Sequence, residues 1–205
     1  MRIEEIKPSE GQKGRFLVKL SDGSLLRVTE EELLRFALVR EMELGDRELE
    51  ELQRMAAASN AKAAAANMIG RRALSKSELR QRLIKKGAAA ADAEAAVDWL
   101  EDIGAVDDAG YAGIVARHYA SLGYGAARVR QELRRRGIDR SLWEEALAQL
   151  PEPAEAVEDY LHKKCRGDLS DPKERKRMAD ALLRRGFGWA EIRAALARFG
   201  EMGEE

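Results

Sequence analysis

Apolar and polar residues recur with helical spacing along most of the chain, and from about residue 61 onward one pattern appears three times. Three segments can be aligned on a closing glycine: KSELRQRLIKKG at Gly87, AARVRQELRRRG at Gly137 and RKRMADALLRRG at Gly186. A large apolar residue stands four and eight positions before each glycine, so both lie on one face of a helix. These apolar residues are Leu83 and Leu79, Leu133 and Val129, and Leu182 and Met178.

Each glycine suits the position just after a helix, where the backbone takes a left-handed conformation that strains other residues. Apolar residues recur ten and thirteen positions beyond each glycine, which predicts a second helix, and a further helical stretch precedes each segment. The preceding stretches lie at about 61–73, 108–122 and 153–165. The period therefore predicts three helices per repeat. A tandem array of three such repeats is expected to be elongated and curved.

The N-terminal part differs from the rest. RFLVKL and SLLRV flank Asp22-Gly23, a favoured two-residue hairpin turn, and Thr29 with Glu32 forms a capping box for a helix over about 30–40. The following stretch, DRELEELQRMAAASNAKAAAANMI, is predicted to be helical with an interruption near Ser59-Asn60.

The predicted fold class is therefore mainly α: three three-helix repeats behind a small N-terminal α+β extension of a β-hairpin plus helices. The predicted segments are 1–45 for the extension, 46–104 for a helical linker and the first repeat, 105–150 for the second repeat, and 151–205 for the third repeat and an acidic tail.

Charge is informative only locally, because 36 Lys+Arg nearly balance 37 Asp+Glu. The segment ending at Gly137 nevertheless carries five arginines against one acid, Glu132. Bases at a helix C-terminus complement the helix dipole, but Arg128 and Arg130 lie in the first turns, where the dipole disfavours a cation. The surplus predicts a surface for an anionic partner. The candidate partner-binding residues are Arg82, Lys85, Lys86, Tyr124, Arg128, Arg130, Arg134, Arg135, Arg136, Arg184 and Arg185.

Motifs of catalysis, cofactor binding and metal binding are absent from the sequence. There is no P-loop, no G-x-G-x-x-G, no Cys/His zinc spacing and no G-x-S-x-G, so neither an enzyme nor a cofactor or metal is predicted. Asp107-Asp108 favours a helix cap over a metal site. The lone Cys165 and an N-terminus without an apolar run indicate a cytoplasmic protein that does not enter the membrane.

Four motifs, in order, resemble the RecX regulatory proteins of bacteria over residues 61–200: RRALSKSELRQRLIKKG, WLEDIGAVDDAGYA, GYGAARVRQELRRRGI and LLRRGFGWAEIRAAL. The resemblance implies a non-enzymatic regulator that binds the RecA recombinase and lodges in the groove of its nucleoprotein filament. It would thereby inhibit filament extension and the recombinase, ATPase and coprotease activities. The resemblance also implies weak binding to DNA, single- or double-stranded.

Two other functions stay open from the residues alone. The chain could be a helical-repeat protein that binds DNA directly and acts without recombinase, or a scaffold whose charges are only solvated. Base-edge contacts favour Asn and Gln, and the first two basic helices offer only Gln81 and Gln131, which argues against sequence-specific binding. A monomer is expected, because the repeats stack within the chain and no heptad seam is left over.

Overall fold

The computed structural model describes residues 1–11, 13–165 and 169–201. An antiparallel sheet comes first, with strand order β1-β2-β3. The strands are β1 (Ile3–Pro8), β2 (Arg15–Leu20) and β3 (Leu25–Thr29). The chain forms two compact units: Met1–Leu74 with Glu78–Val106, and Ser75–Ser77 with the chain from Asp107 onward.

Helices account for most of the remaining described chain, as predicted. The first four are α1 (Glu30–Arg35), α2 (Asp46–Ile69), α3 (Lys76–Lys85) and α4 (Ala90–Asp102). The next three are α5 (Asp108–Ser121), α6 (Ala126–Arg135) and, after a 3₁₀ turn at Arg140–Leu142, α7 (Trp143–Leu147). The last three are α8 (Pro153–Lys164), α9 (Pro172–Arg184) and α10 (Trp189–Glu201). Helices α2–α4, α5–α7 and α8–α10 are the three predicted repeats. Among the described residues, no helix combines the length and apolar character needed to cross a membrane.

The three aligned glycines all have the left-handed backbone that the repeat predicted. Their φ angles are +95° at Gly87, +65° at Gly137 and +88° at Gly186. The residue after each glycine donates its N–H to the carbonyl of the aligned leucine five residues earlier, at 3.1 to 3.2 Å. This is the closing bond of a Schellman motif, which ends a helix by satisfying its last carbonyls. The aligned leucines are buried, so the repeat alignment is confirmed.

The second repeat departs from the predicted pattern in its third helix. Leu147 and Leu150, ten and thirteen positions beyond Gly137, pack against the core but are only half-buried, and Trp143 and Ala146 are the buried residues of this helix. Asp139 is the N-cap residue of the 3₁₀ turn that precedes α7. Because this turn takes up the first residues of the segment, α7 has only 5 residues. The indole N–H of Trp143 donates to the Ile138 carbonyl at 3.0 Å and fixes the ring in this core.

The N-terminal sheet contains one strand more than the predicted hairpin. Strand β1 pairs antiparallel with β2, but its sequence, IEEIKP, contains only two apolar residues and a proline, so alternation did not reveal it. The predicted hairpin joins β2 and β3 through Asp22-Gly23, and the Thr29–Glu32 capping box is present. Leu52, from the first half of α2, packs against the sheet core, while Ala61 and Ala65 from its second half pack against α3 and α4.

The end of one helix and an interruption in another were wrongly predicted. Helix α1 ends at Arg35 and not near residue 40, because Ala37 takes a positive φ of 47° and turns the chain back towards β1. Helix α2 runs through Ser59-Asn60 without interruption. The Asn60 side chain is engaged outside the helix, where it donates to the Arg27 carbonyl at 2.8 Å, so it does not compete with the helix backbone.

Candidate partner-binding surface

Helix α6 is organised around one buried acid. The side chain of Glu132 is 5% exposed and forms ion pairs with three arginines of the same segment, of which Arg135 and Arg136 also donate hydrogen bonds to it. The distances from its carboxylate are 2.5 Å to Arg136, 2.9 Å to Arg135 and 3.2 Å to Arg128. Three of the five arginines that appeared to be surplus are therefore paired inside the protein.

The ionisation of this cluster is fixed by its hydrogen bonds. Burial alone would raise the pKa of Glu132, but the hydrogen bonds and charges of Arg135 and Arg136 outweigh burial and hold the pKa below its usual value. Burial likewise opposes the charge on Arg136, but its hydrogen bonds with Tyr111 and Glu132 raise the pKa of the guanidinium. The carboxylate and the guanidinium groups thus stay charged and bound to each other at neutral pH.

Arginines and tyrosines alternate across the second and third repeats. The guanidinium carbons of Arg136 and Arg128 lie 6.0 Å from the centre of the Tyr119 ring. Arg128 is also 5.8 Å from the centre of the Tyr124 ring, and Arg185 lies 5.1 Å from the same centre. Arg185 lies in turn 4.7 Å from Tyr160, a residue of α8. We call these six residues the arginine–tyrosine series; cation–π contacts of this kind each contribute roughly 0.5–1 kcal/mol where solvent reaches them.

Arg185 also joins the two repeats by hydrogen bonds. Its Nη1 donates to the carbonyls of Leu122 and Gly123, at 2.8 and 3.1 Å, where α5 ends. In the other direction, the N–H groups of Gly125 and Ala127 donate to the carbonyls of Arg185 and Gly186, at 2.9 and 3.1 Å. The C-terminus of α9 therefore caps the N-terminus of α6, and free backbone groups of both helices are satisfied. Arg185 has a structural role in this joint.

The other candidates are exposed. Arg134 is exposed and lies 5.9 Å from the Trp143 ring, and Arg135 keeps 64% of its side chain in solvent while it binds Glu132. Five further bases are exposed and make no side-chain hydrogen bond or ion pair within the described part of the chain. They are Arg82, Lys85 and Lys86 at the end of α3, Arg130 in α6 and Arg184 at the end of α9.

The structure thus separates two arginines that the sequence treated alike. Arg130 is exposed, whereas Arg128 is held by Glu132 and by two tyrosine rings. Sequence reasoning missed Tyr119 and Tyr160 because their arginine partners come from other helices and no spacing rule links them. It placed Tyr124 among the candidates, and in the structure that ring contacts both Arg128 and Arg185.

The acids at the start of α5 serve helix capping, as expected. Asp107 is the N-cap residue and accepts the N–H of Ala109 at 2.9 Å. Asp108 accepts the N–H of Lys76 at 2.9 Å. In the described ranges, no group of three or more His, Cys, Asp or Glu side chains is arranged to hold a metal ion.

Comparison with known proteins supports the repeat assignment. Models of the first, second and third three-helix domains of RecX match residues 61–100, 107–147 and 152–196. The regulatory protein RecX of Xanthomonas oryzae pv. oryzae (strain MAFF 311018) is 37% identical over 134 residues, which cover 64% of this chain and 83% of that protein. The RecX of Chromohalobacter salexigens is 34% identical over 138 residues, which cover 67% and 91%.

Two solved structures share the fold. A crystal structure of regulatory protein RecX superposes with a TM-score of 0.71 at 22% identity and covers 95% of this chain and 98% of that one. RecX from Lactobacillus salivarius superposes with a TM-score of 0.60 at 18% identity and covers 71% of this chain and 97% of that one.

Proposed function

The chain belongs to the RecX family of regulatory proteins, and we propose that it acts by binding the RecA recombinase on its nucleoprotein filament. Bound there, it inhibits filament extension and, with it, the recombinase, ATPase and coprotease activities. The action is steric and electrostatic, performed by a cytoplasmic monomer without chemistry of its own. A sedimentation experiment at micromolar concentration checks the oligomeric state, and a tight dimer would contradict it.

One observation supports the proposal most directly: the middle helix of every repeat presents exposed bases that have no acid partner among the residues the structure describes. These are the bases of α3, α6 and α9 described above, Arg82, Lys85, Lys86, Arg130 and Arg184. Cations that the fold leaves unpaired remain available to carboxylates or phosphates of a partner, and such groups steer association and give specificity. Arg is well suited to the task because its planar fork matches both anions.

The candidates fall into two groups with different roles. Arg130, Arg134 and Arg184, together with the three bases of α3, are the proposed contact residues. The second group comprises Arg128, Arg136, Arg185 and Tyr124, which hold α6 and the neighbouring repeats in place and so support the contact surface. Arg135 shares both roles, because it binds Glu132 and remains largely exposed.

The test measures inhibition of DNA-dependent ATP hydrolysis by RecA. A double variant, Arg130→Glu with Arg134→Glu, should inhibit at least tenfold less strongly than the wild type. Its matched control is Arg140→Glu with Arg193→Glu, which makes the same change in net charge at two exposed arginines outside α6 and should inhibit normally. Inhibition by the wild type should also weaken as salt rises, because exposed charge contacts are screened. Equal inhibition by both double variants would exclude α6 as the contact surface.

A second experiment separates this function from direct DNA binding. Immobilised RecA without DNA should retain the wild-type protein, and the Arg130→Glu, Arg134→Glu variant should be retained less. If the protein binds oligonucleotides but is not retained by RecA, the alternative of a DNA-binding repeat protein acting without recombinase is correct.

A further inference from the structure

A long groove lies in the first unit, along one face of α2. Its volume is about 740 Å³, and its floor is formed by α2 residues at helical spacing, among them Ala57, Ala64 and Met68. From Ala57 to Met68 the floor extends about 17 Å, the length of three helical turns. The facing wall is the turn between α3 and α4 and the first turn of α4. A groove of this length accommodates about three turns of a helix or a short extended peptide.

The groove is basic. Arg27, Arg71 and Lys86 line it, and Asp92 is the one acid among the lining residues that the structure describes. None of the three bases makes a side-chain hydrogen bond or ion pair within the described ranges. The groove therefore combines positive charges that are unpaired within the described chain with a floor of small and apolar side chains interrupted by Asn60 and Asn67, although the whole chain carries a net charge of only -1.

These features select one kind of occupant. Apolar side chains fit the floor of alanines and Met68, and carboxylates complement Arg27, Arg71 and Lys86. Binding of single-stranded nucleic acid relies on aromatic side chains on which bases stack, and the described lining contains no aromatic residue. We propose that this groove docks an acidic, amphipathic segment of a partner protein. The inference does not depend on the recombinase; Lys86 belongs both to this groove and to the proposed contact residues, whereas Arg27 and Arg71 belong to the groove alone.

The proposal can be tested with a fluorescein-labelled 14-residue peptide of Glu and Asp with Leu at every third or fourth position. Fluorescence anisotropy in the absence of recombinase should show saturable binding to the wild-type protein. The triple variant Arg27→Glu, Arg71→Glu, Lys86→Glu should bind at least tenfold more weakly. The matched control is Arg47→Glu, Arg54→Glu, Arg72→Glu, which reverses three exposed arginines outside the groove and should bind as the wild type does.

Further variants test the shape and apolar character of the groove. Ala57→Trp places a bulky side chain on an exposed floor position and should weaken binding without changing any charge. A peptide with Leu replaced by Ser should bind at least fivefold more weakly. The proposal is overturned if the wild type does not bind the peptide, if both triple variants lose affinity equally, or if a dT20 oligonucleotide binds through the three bases and the peptide does not. Because no recombinase is present, failure here and failure of the proposed RecA inhibition are distinguishable.

Discussion

Gly186 faces the backbone of Arg128 so closely that a Cβ added to the glycine would lie 2.5 Å from the Arg128 amide nitrogen. The same holds from the other side, where a Cβ on Gly125 would lie 2.6 Å from the Gly186 carbonyl oxygen. The repeat glycine at this joint therefore meets two demands, a left-handed backbone and close approach to the neighbouring repeat. Alanine substitutions at two of the repeat glycines distinguish these demands.

Gly186→Ala should destabilise the protein more than Gly87→Ala. Both glycines have positive φ, so each substitution incurs backbone strain of roughly 1–2 kcal/mol. A Cβ on Gly87 would meet nothing within 4 Å, whereas one on Gly186 would clash with α6, and overpacking adds about 1–3 kcal/mol. Urea unfolding measures the free energy of unfolding of both variants. If both lose the same amount, the contact between Gly186 and α6 can adjust to a Cβ without loss of stability.

Glu132→Gln should lower stability by about 2 kcal/mol at pH 7, because three arginines lose their common charged partner. The folded-state pKa of Glu132 is lowered, so the stability it contributes is present above the unfolded-state pKa and is lost as pH falls through the folded one. The wild type should therefore lose stability below about pH 4.5, and the variant should lose less. Glu144→Gln, at an exposed site in α7, is the control; parallel pH profiles for wild type and Glu132→Gln would contradict the assignment.

Arg128→Glu should mainly lower stability, whereas Arg130→Glu should mainly weaken the inhibition of RecA. Arg128→Glu places a second carboxylate beside Glu132 and removes the contacts with Tyr119 and Tyr124, so it should cost roughly 2 kcal/mol. Arg130→Glu should change stability by less than about 0.5 kcal/mol, because the side chain is exposed, yet it should weaken inhibition of RecA. Thermal melting measures the stability of each variant, and DNA-dependent ATP hydrolysis by RecA measures its inhibition. If the two variants melt alike, the arginine–tyrosine series contributes no stability.

Leu133→Ala should cost about 2–5 kcal/mol, because the side chain is fully buried in the core of the second repeat and its removal leaves a cavity. Leu183→Ala is the control, because Leu183 is 43% exposed, and it should cost much less. Chemical denaturation gives both values. A Leu133→Ala protein as stable as the wild type would mean that the repeat core does not depend on this position.

Features that are determined by residues close together in the sequence could be predicted, and features that depend on distant parts of the chain could not. The closing glycines and the leucines before them follow from helix termination and from one helix face, so Gly137 and Leu133 were placed correctly. The role of Arg185 was not predictable, because its partners are a carbonyl at the end of α5 and rings on other segments. Strand β1 was missed for the same reason, since its place in the sheet is determined by pairing with β2 more than by its own pattern.

The hydrogen bonds between α9 and α6 have a consequence for how such a chain evolves. Two of them run between backbone atoms, from Gly125 to Arg185 and from Ala127 to Gly186, and need close approach at Gly125 and Gly186, while the Arg185 side chain adds two more bonds to the carbonyls of Leu122 and Gly123. The backbone part of this joint can therefore persist while side chains elsewhere on α6 and α9 diverge. A descendant that lost its third repeat would leave the first N–H groups of α6 without partners, and a new capping residue would have to arise at position 125 before such a shortened form became stable.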